Sequence, residues 1–325
     1  MKAHGKRSEA LPLRNPDEDF LLLQSHNRVM QRLLESAKRA AGTDGTILLL
    51  GESGTGKSLL AKQIHLWSPR RAKPFWTVEC ATLRQQNPEE EGSIRSFSGL
   101  PHKAKGALAR LEEAEGGTVF LASVDELSAS LQVELARFVQ DRTIESADGE
   151  QPIDVRIIAG TNRDLFAGVR AHRFREDLYY SLNIISLRVP PLRERLADIL
   201  PLAVRMLAAA ATRNRRGALQ LSKEAAAAMV RYRWPGNVRE LRNAMEAAAV
   251  LCPSEIITLA NLPQAISTPP PSIDTAFSSK PSLDKLELEH ISRVLRESGT
   301  LEQAAATLGI NVTTLWRKRK RYNLD

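Results

Sequence analysis

Four apolar residues lead directly into a glycine-rich loop and a lysine in the segment Ile47-Leu48-Leu49-Leu50-Gly51-Glu52-Ser53-Gly54-Thr55-Gly56-Lys57-Ser58. The apolar run is typical of a central parallel strand that is covered on both faces. The glycines let the backbone turn its N–H groups inward, and with the N-terminus of a following helix they form an anion site. The segment therefore predicts a phosphate-binding loop between a strand and a helix; the alternative is an incidental Gly/Ser turn.

The same segment assigns roles to its side chains. Lys57 is placed to reach the β and γ phosphates of a nucleotide, and the Ser58 hydroxyl is placed for a magnesium ion. The predicted nucleotide-binding residues are Gly51, Glu52, Ser53, Gly54, Thr55, Gly56, Lys57 and Ser58.

Further strands follow along the chain. Apolar runs at 75–78, 116–122 and 155–160 read as strands, and the helical spacing of residues 131–140 separates two of them. Strands that alternate with helices indicate a parallel α/β sheet. From residue 190 the pattern becomes helical, with candidate helices at 199–211, 222–232 and 238–251, as in a small helical lid.

The organisation predicted from these patterns has five parts. Residues 1–19 are expected to be a disordered leader, with no folded sensory or receiver domain before the next part. Residues 20–190 form an α/β nucleotide-binding domain, and residues 191–266 form a helical lid subdomain. Residues 267–282, rich in Pro and Ser, form a linker, and residues 283–325 form an all-α helix-turn-helix domain.

The C-terminal pattern points to nucleic acid. Helices are predicted at 283–297, 301–308 and 313–322, with Gly309 in a left-handed turn between the last two. Leu315 and Trp316 are expected to pack the last helix onto the other two, and the alternative reading of its basic run is a solvated tail. The residues predicted to contact double-stranded DNA are Asn311, Thr313, Thr314, Arg317, Lys318, Arg319, Lys320 and Arg321.

Composition narrows the class of protein. The formal net charge is +8 over 325 residues, which suits a polyanionic partner. Cys80 and Cys252 lie far apart, without the spacing of a zinc site or a disulfide framework, and fit a reducing compartment. Because neither an export signal nor an apolar run of about 20 residues is visible, we expect a cytoplasmic protein with no membrane partner.

Several longer motifs resemble those of a known family. The matches are GESGTGK at 51–57, FREDLYY at 174–180, PPLRER at 190–195 and WPGNVRELRN at 234–243. Over residues 21–266 and 283–324 the chain resembles the sigma-54-dependent transcription activators, the bacterial enhancer-binding proteins of the NtrC and AlgB type. The resemblance implies an AAA+ P-loop domain with a helical lid, followed by a Fis-like helix-turn-helix.

The resemblance also implies site residues and partners. ATP and Mg²⁺ become the expected cofactors. Asn162, beside Thr161, matches the sensor I position; Arg175 matches an arginine finger presented to a neighbouring subunit, and Arg239 matches sensor II on the lid. The family further implies RNA polymerase holoenzyme as a partner and a homo-oligomer, with a dimer through the C-terminal domain and a hexamer through the AAA+ domain as the expected assemblies.

The sequence departs from the family at the catalytic carboxylates. Where the Walker B strand ends in Asp-Glu, this chain has Ala122-Ser123. Ala122 can neither hold a metal nor act as a base, and Ser123 is a poor replacement for a carboxylate base. Asp125 and Glu126 follow three residues later, too far along to restore both roles simply. The Asn that restrains the family's catalytic Glu is Glu79 here.

Two further positions differ. Ser181 replaces the family's second arginine. The family's GAFTGA loop, which inserts into sigma-54, aligns within residues 95–103, where the motif is not intact.

Three functions remain open at this point. The favoured one is a sequence-specific DNA-binding transcription regulator that binds ATP, with ATP hydrolysis and sigma-54 remodelling impaired. The second is a working sigma-54-dependent ATPase activator with tolerated substitutions. The third is a modulator that joins mixed oligomers with an intact homologue.

Overall fold

The computed structural model describes residues 24–83, 114–146, 149–267, 283–322 and 324. The chain divides into two compact units, with the division after Ser267. The first unit holds the phosphate-loop segment and the second holds the C-terminal helices. The predicted leader (1–19), the predicted linker beyond residue 267 and the segment that aligns with the sigma-54 loop (95–103) lie outside the described residues.

A parallel sheet forms the centre of the first unit. The strands are β1 (Ile47–Leu50), β2 (Phe75–Glu79), β3 (Thr118–Ala122), β4 (Thr143–Ser146), β5 (Gly149–Pro152), β6 (Arg156–Thr161), β7 (Ile185–Arg188), β8 (Gln220–Leu221) and β9 (Ile256–Ile257). Five of them make the central sheet in the order β2-β3-β6-β1-β7, and every neighbouring pair in it is parallel. The predicted parallel α/β fold is confirmed.

Helices surround the sheet, build the lid and make up the second unit. They are α1 (Arg28–Ala41), α2 (Lys57–Trp67), α3 (Cys80–Leu83), α4 (Ala129–Asp141), α5 (Leu165–Arg170), α6 (Glu176–Leu182), α7 (Leu196–Arg213), α8 (Lys223–Arg231), α9 (Asn237–Leu251), α10 (Gln264–Ser267), α11 (Leu283–Glu297), α12 (Leu301–Thr307) and α13 (Val312–Tyr322). Ser222, predicted inside α8, is instead its N-cap, because its hydroxyl accepts from Ala225 N at 3.1 Å.

The sheet buries both faces, each against a different set of apolar residues. On β3, Val119 and Leu121 belong to the core on one face. Phe120 and Ala122 belong to the other, which includes Leu60 of α2, the helix that starts at the phosphate loop. Successive side chains of a strand point to opposite faces. This alternation therefore decides which strand-end residues face the phosphate loop.

The sequence reading missed the short elements β8, β9, α5 and α6 of this unit, and two further parts. One is β7 at the edge of the sheet, where only Ile185 and Leu187 pack against the core while Ser186 and Arg188 are exposed. Two apolar residues at alternate positions are too short a signal to indicate a strand. The other is the antiparallel pair of β4 and β5.

The lid has a core of its own, built by α7, α8 and α9. Trp234 is fully buried at its centre. The indole Nε1 donates a hydrogen bond to Met229 O at 2.8 Å, and the ring of Tyr232 meets the indole edge-on at 5.1 Å. A buried indole that is satisfied in this way fixes the turn that leads into α9.

The second unit is a bundle of three helices, α11 to α13, as predicted. Leu315 of α13 is fully buried with Ile291 and Ala304, and Gly309 has φ +65° in the turn before α13. The expectation for Trp316 was wrong: 56% of this side chain is exposed. Adjacent helix positions lie about 100° apart around the axis, and on α13 Leu315 faces the bundle while Trp316 faces away.

Candidate functional site

The phosphate loop joins β1 to α2 in a curled backbone. The loop is tied to the sheet by a hydrogen bond from Gly51 N to Thr161 O at 3.2 Å. Gly54 and Gly56 have φ of +78° and +102°, in the left-handed region. A Cβ on Gly54 would lie 2.3 Å from Gly236 O of the lid, so this position needs glycine for space as well.

Lys57 is the first residue of α2 and folds back over the loop. Its Nζ donates to Gly51 O at 2.7 Å and to Glu52 O at 2.9 Å. Burial lowers the pKa of Lys57, and the nearby Arg239 guanidinium lowers it further. An ammonium that is held among carbonyl oxygens in this way is available to a phosphate group that displaces them.

A cavity of about 310 Å³ lies against this loop. The loop contributes Ser53, Gly54, Gly56, Lys57 and Ser58 to its lining; the strand ends contribute Glu79, Phe120, Ala122, Ser123 and Asn162; and α9 contributes Val238, Arg239 and Arg242. The predicted residues Lys57, Ser58, Asn162 and Arg239 therefore meet in one cavity. Cationic side chains from both α2 and the lid face it, which suits a polyphosphate.

Hydrogen bonds from backbone amides and side chains join the lid to the phosphate loop. Gly54 O accepts hydrogen bonds from Val238 N at 3.0 Å and from Arg239 N at 3.3 Å. The Asn237 side chain donates to Ser53 O at 3.0 Å, and a guanidinium nitrogen of Arg239 donates to Ser53 Oγ at 3.0 Å. The start of α9 is thus part of the cavity wall.

Two residues of the predicted loop set turn toward the lid. Glu52 accepts two hydrogen bonds from Arg193, at 2.6 and 2.8 Å, and one from Asn237 at 3.1 Å. These bonds lower the pKa of Glu52 to about 2. Thr55 is buried, and its carbonyl accepts from Arg195 at 3.0 Å. The side chains of Glu52 and Thr55 do not line the cavity, so they shape the loop from outside it.

The end of β3 contributes no carboxylate to the cavity lining. Ala122 and Ser123 line the cavity, and Ser123 has φ +55° at the turn into the next residues. Asp125 is nearly buried and accepts from Thr161 Oγ1 at 2.5 Å. Arg163 approaches Asp125 at 3.4 Å and Glu126 at 3.2 Å, and neither carboxylate lines the cavity.

Sensor and finger candidates take different positions. Asn162 lines the cavity, whereas its neighbour Thr161 points to Asp125. Arg175 lies outside the cavity of its own chain and pairs with Asp177 at 2.7 and 3.0 Å on the surface. That ion pair lowers the pKa of Asp177.

Sequence reasoning missed two charged residues of the cavity. Arg242 lies three positions after Arg239, on the same side of α9, and helical spacing alone would have found it. Glu79 was read only as a lost Asn, although it ends β2 at the edge of the sheet where the other strands deliver Ala122 and Asn162.

The second candidate site is the surface of α13. Asn311, Thr313, Thr314 and Arg317 are exposed, and Asn311 Oδ1 accepts from Thr313 N at 2.8 Å. Trp316 is exposed beside Lys320, whose Nζ lies 5.5 Å from the ring centre. A helix that presents polar, aromatic and basic side chains together has the chemistry for base edges and phosphates.

Two predicted DNA contacts bind within the unit instead. Lys318 is paired with Glu287, which also accepts from the Tyr322 hydroxyl at 2.7 Å. The hydrogen bond from Lys318 is the main cause of the lowered pKa of Glu287. Arg319 Nε donates to Leu324 O at 3.0 Å. Lys318 and Arg319 therefore help to hold α13 in the bundle, while Arg317 and Lys320 face outward.

Three family models match the chain in series. The sigma-54 interaction domain matches residues 23–188, the AAA+ ATPase lid domain matches 193–278, and the Fis family of bacterial regulatory proteins matches 282–322. The first match covers just over half of the 325 residues. The chain belongs to the sigma-54-dependent transcription activator family. This family has an AAA+ domain, a lid and a Fis-type helix-turn-helix, as the sequence motifs predicted.

Relatives and solved structures agree. The alginate biosynthesis transcriptional regulatory protein AlgB of Pseudomonas syringae pv. tomato is 45% identical over 304 residues, covering 93% of this chain and 67% of AlgB. AlgB of Pseudomonas aeruginosa is 44% identical, covering 93% and 68%. The crystal structure of NtrX from Brucella abortus in complex with ATP has a TM-score of 0.66 and 30% identity, covering 93% and 69%.

The described residues lack two further features. No helix there combines the length and apolar character that a membrane crossing needs. Within the same ranges, no group of three or more His, Cys, Asp or Glu side chains is arranged to hold a metal ion.

Proposed function

We propose that this sigma-54 activator family member is a DNA-binding transcription regulator that binds ATP with Mg²⁺, hydrolyses it weakly, and does not remodel sigma-54 efficiently. One observation carries the proposal. An intact phosphate loop faces a cavity in which the end of β3 presents Ala122 and Ser123 instead of two carboxylates.

ATP binding is supported by the charges of the cavity. Lys57 from the loop and Arg239 and Arg242 from the lid surround the space into which the loop N–H groups point. Asn162 adds an amide that can read a terminal phosphate. NtrX, which shares the fold at 30% identity, has been solved with ATP.

Mg²⁺ fits the donors that the cavity offers. Ser58 supplies a hydroxyl and Glu79 a carboxylate, and both line the cavity. Oxygen donors of this kind, completed by phosphates and water, are what Mg²⁺ prefers. The ion would neutralise charge that develops on the phosphates.

Weak hydrolysis follows from the lack of a carboxylate base at the end of β3. Hydrolysis needs a group that orients and deprotonates the attacking water. Ser123 has a hydroxyl of high pKa in place of a carboxylate, and Asp125 and Glu126 are directed to Thr161 and Arg163, away from the cavity. The lack of a carboxylate base would thus impair hydrolysis and leave nucleotide binding intact.

DNA binding is assigned to the second unit. The exposed groups of α13, above all Arg317, Lys320 and Trp316, form the surface toward double-stranded DNA. RNA polymerase holoenzyme is the expected partner, and we propose a dimer through this unit. A hexamer through the AAA+ domain is the proposed higher assembly.

A working sigma-54 activator is the second candidate. Asp125 lies close enough to Lys57 to counteract the lowering of its pKa, as Glu52 also does, so a carboxylate that follows β3 does act on the phosphate site. Mixed oligomers with an intact homologue are the third candidate, favoured by Arg175, which stands exposed and outside its own cavity.

Paired measurements of ATP affinity and turnover on the purified chain test the proposal. The wild-type chain should bind ATP and turn it over slowly, and Lys57→Ala should lose binding. Restoring the carboxylates with A122D/S123E should raise turnover by about 100-fold or more, the contribution of a positioned base. Wild-type turnover that Lys57→Ala abolishes and A122D/S123E does not increase would favour the working activator.

DNA binding needs its own test. The full chain should bind a DNA duplex in fluorescence anisotropy, and a chain that ends at residue 282 should not. Equal binding by both would place the DNA site outside the C-terminal helices. Co-purification with an intact homologue, lost on Arg175→Ala, would support the mixed oligomer.

A further inference from the structure

Glu79 and Ala122 are neighbours across the sheet. They end two adjacent parallel strands, β2 and β3, and the strand register pairs them directly. Paired Cα positions on neighbouring strands are about 5 Å apart. Glu79 is therefore the lateral neighbour of the position where the family carries the metal-holding Asp.

The two side chains also share a face of the sheet. Phe75 of β2 packs on the same core as Phe120 and Ala122 of β3. Glu79 lies four residues after Phe75, and side chains repeat every two residues along a strand. The Glu79 carboxylate thus emerges on the face of α2, where Ser58 lies.

The cavity confirms this placement. Glu79 is exposed and lines it together with Ser58, Ala122 and Lys57. Among the residues that the structure describes, Glu79 supplies the only carboxylate in that lining. Asp125 and Glu126, the sequence-adjacent substitutes, are directed elsewhere.

The negative charge of Glu79 favours a cation as its ligand. A carboxylate beside bound phosphates repels them, whereas a divalent cation between the two groups attracts both. A divalent cation between them would therefore let the Glu79 carboxylate share this cavity with a bound nucleotide. Mg²⁺ commonly binds through one or two carboxylates with substrate phosphates completing the shell.

From this geometry we infer that Glu79 replaces the lost Walker B aspartate as the carboxylate toward the nucleotide-bound Mg²⁺, reaching the ion from the neighbouring strand. The inference rests on the proposed binding of ATP. It explains how metal-dependent binding persists when hydrolysis is weak, because Glu79 supplies a metal ligand while Ser123 still supplies no base.

Metal-dependent affinity tests this without any turnover. ADP affinity is measured on the full chain by calorimetry, once with excess Mg²⁺ and once with EDTA. The readout is the dissociation constant in EDTA divided by the dissociation constant with Mg²⁺. Glu79→Gln, which keeps the shape of an exposed side chain, should lower that ratio about 10-fold or more. Glu126→Gln, a matched change outside the cavity, should leave it unchanged.

A rescue makes the test specific. Adding Ala122→Asp to Glu79→Ala returns a carboxylate to the same face, and it should restore the ratio. The same pattern should appear in the amount of Mn²⁺ that the ADP-loaded chain binds, measured by electron paramagnetic resonance.

The two failures are distinguishable. A wild-type ratio well above one that survives Glu79→Gln, or falls with Asp125→Asn instead, overturns the inference and leaves ATP binding intact. A wild-type chain that binds no nucleotide with or without Mg²⁺ overturns both. Metal sensitivity that is lost with Glu79 and regained with Ala122→Asp supports the inference.

Discussion

Gly54→Ala should destabilise the first unit far more than Gly56→Ala. Both glycines have left-handed backbones, at φ +78° and +102°, so alanine strains both. The difference is the surroundings. A Cβ on Gly54 meets Gly236 O at 2.3 Å, whereas a Cβ on Gly56 meets no atom within 4 Å. Gly56→Ala is therefore the matched control for backbone strain.

The magnitude follows from the contacts. A left-handed backbone costs a non-glycine residue about 1–2 kcal/mol, and both variants carry this cost. Only Gly54→Ala must also push the lid away and break the two hydrogen bonds from Val238 N and Arg239 N to Gly54 O. At about 1 kcal/mol each, these bonds add about 2 kcal/mol, or roughly 30-fold in the unfolding equilibrium.

Urea unfolding followed by circular dichroism measures both variants, without nucleotide, against the wild type. The expected losses in unfolding free energy are about 3–4 kcal/mol for Gly54→Ala and about 1–2 kcal/mol for Gly56→Ala. Equal losses would refute the argument, because they would mean that the lid contact contributes nothing to stability. Gly54→Ala should also weaken ADP binding more, since the lid residues that line the cavity move with α9.

Three more predictions concern charge and packing. The pKa of Glu52 is lowered from 4.5 to about 2 by Arg193 and Asn237, so its contribution to folding stability is present above pH 4.5 and lost as the pH falls toward 2. Glu52→Gln should remove this part of the pH dependence of the unfolding midpoint. Solvent screening of this exposed pair keeps the effect small. Arg317→Ala should weaken DNA binding and reduce the slope of log affinity against log salt by about one unit, whereas Lys318→Ala, which breaks the pair with Glu287, should change the stability of the second unit more than the slope. Leu315→Ala should cost about 2–5 kcal/mol of unfolding free energy in that unit, and a loss under 1 kcal/mol would contradict its place in the core.

The sequence predicted the parts of the fold that carry strong local signals. The phosphate loop, the buried strands β1, β3 and β6, and the lid helices all have runs or periodicities long enough to be unambiguous. The edge strand β7 and the pair β4–β5 were missed. The pairing of β7 depends on β1, a partner far along the chain that a local window does not contain. The strands β4 and β5 pair with each other, but their mostly polar residues give no apolar alternation.

The site was harder to predict than the fold. Lys57, Asn162 and Arg239 were found because motifs mark them, and the structure brings them into one cavity. The roles of Glu52 and Lys318 were not visible, because their partners Arg193 and Glu287 are set by tertiary contacts. Glu79 was noted only as a departure from the family's Asn, because its place in the cavity depends on the strand beside it.

The carbonyl oxygen of Gly54 links the phosphate loop to the lid. Because this oxygen accepts from two amides at the start of α9, the position of the lid is coupled to the conformation of the phosphate loop. A neighbouring molecule that binds the lid and shifts it would change the affinity of the loop for its ligand. The bound ligand would change the affinity for that neighbour by the same factor. Such reciprocity does not require a bond to be cleaved, so occupancy alone can serve as the signal.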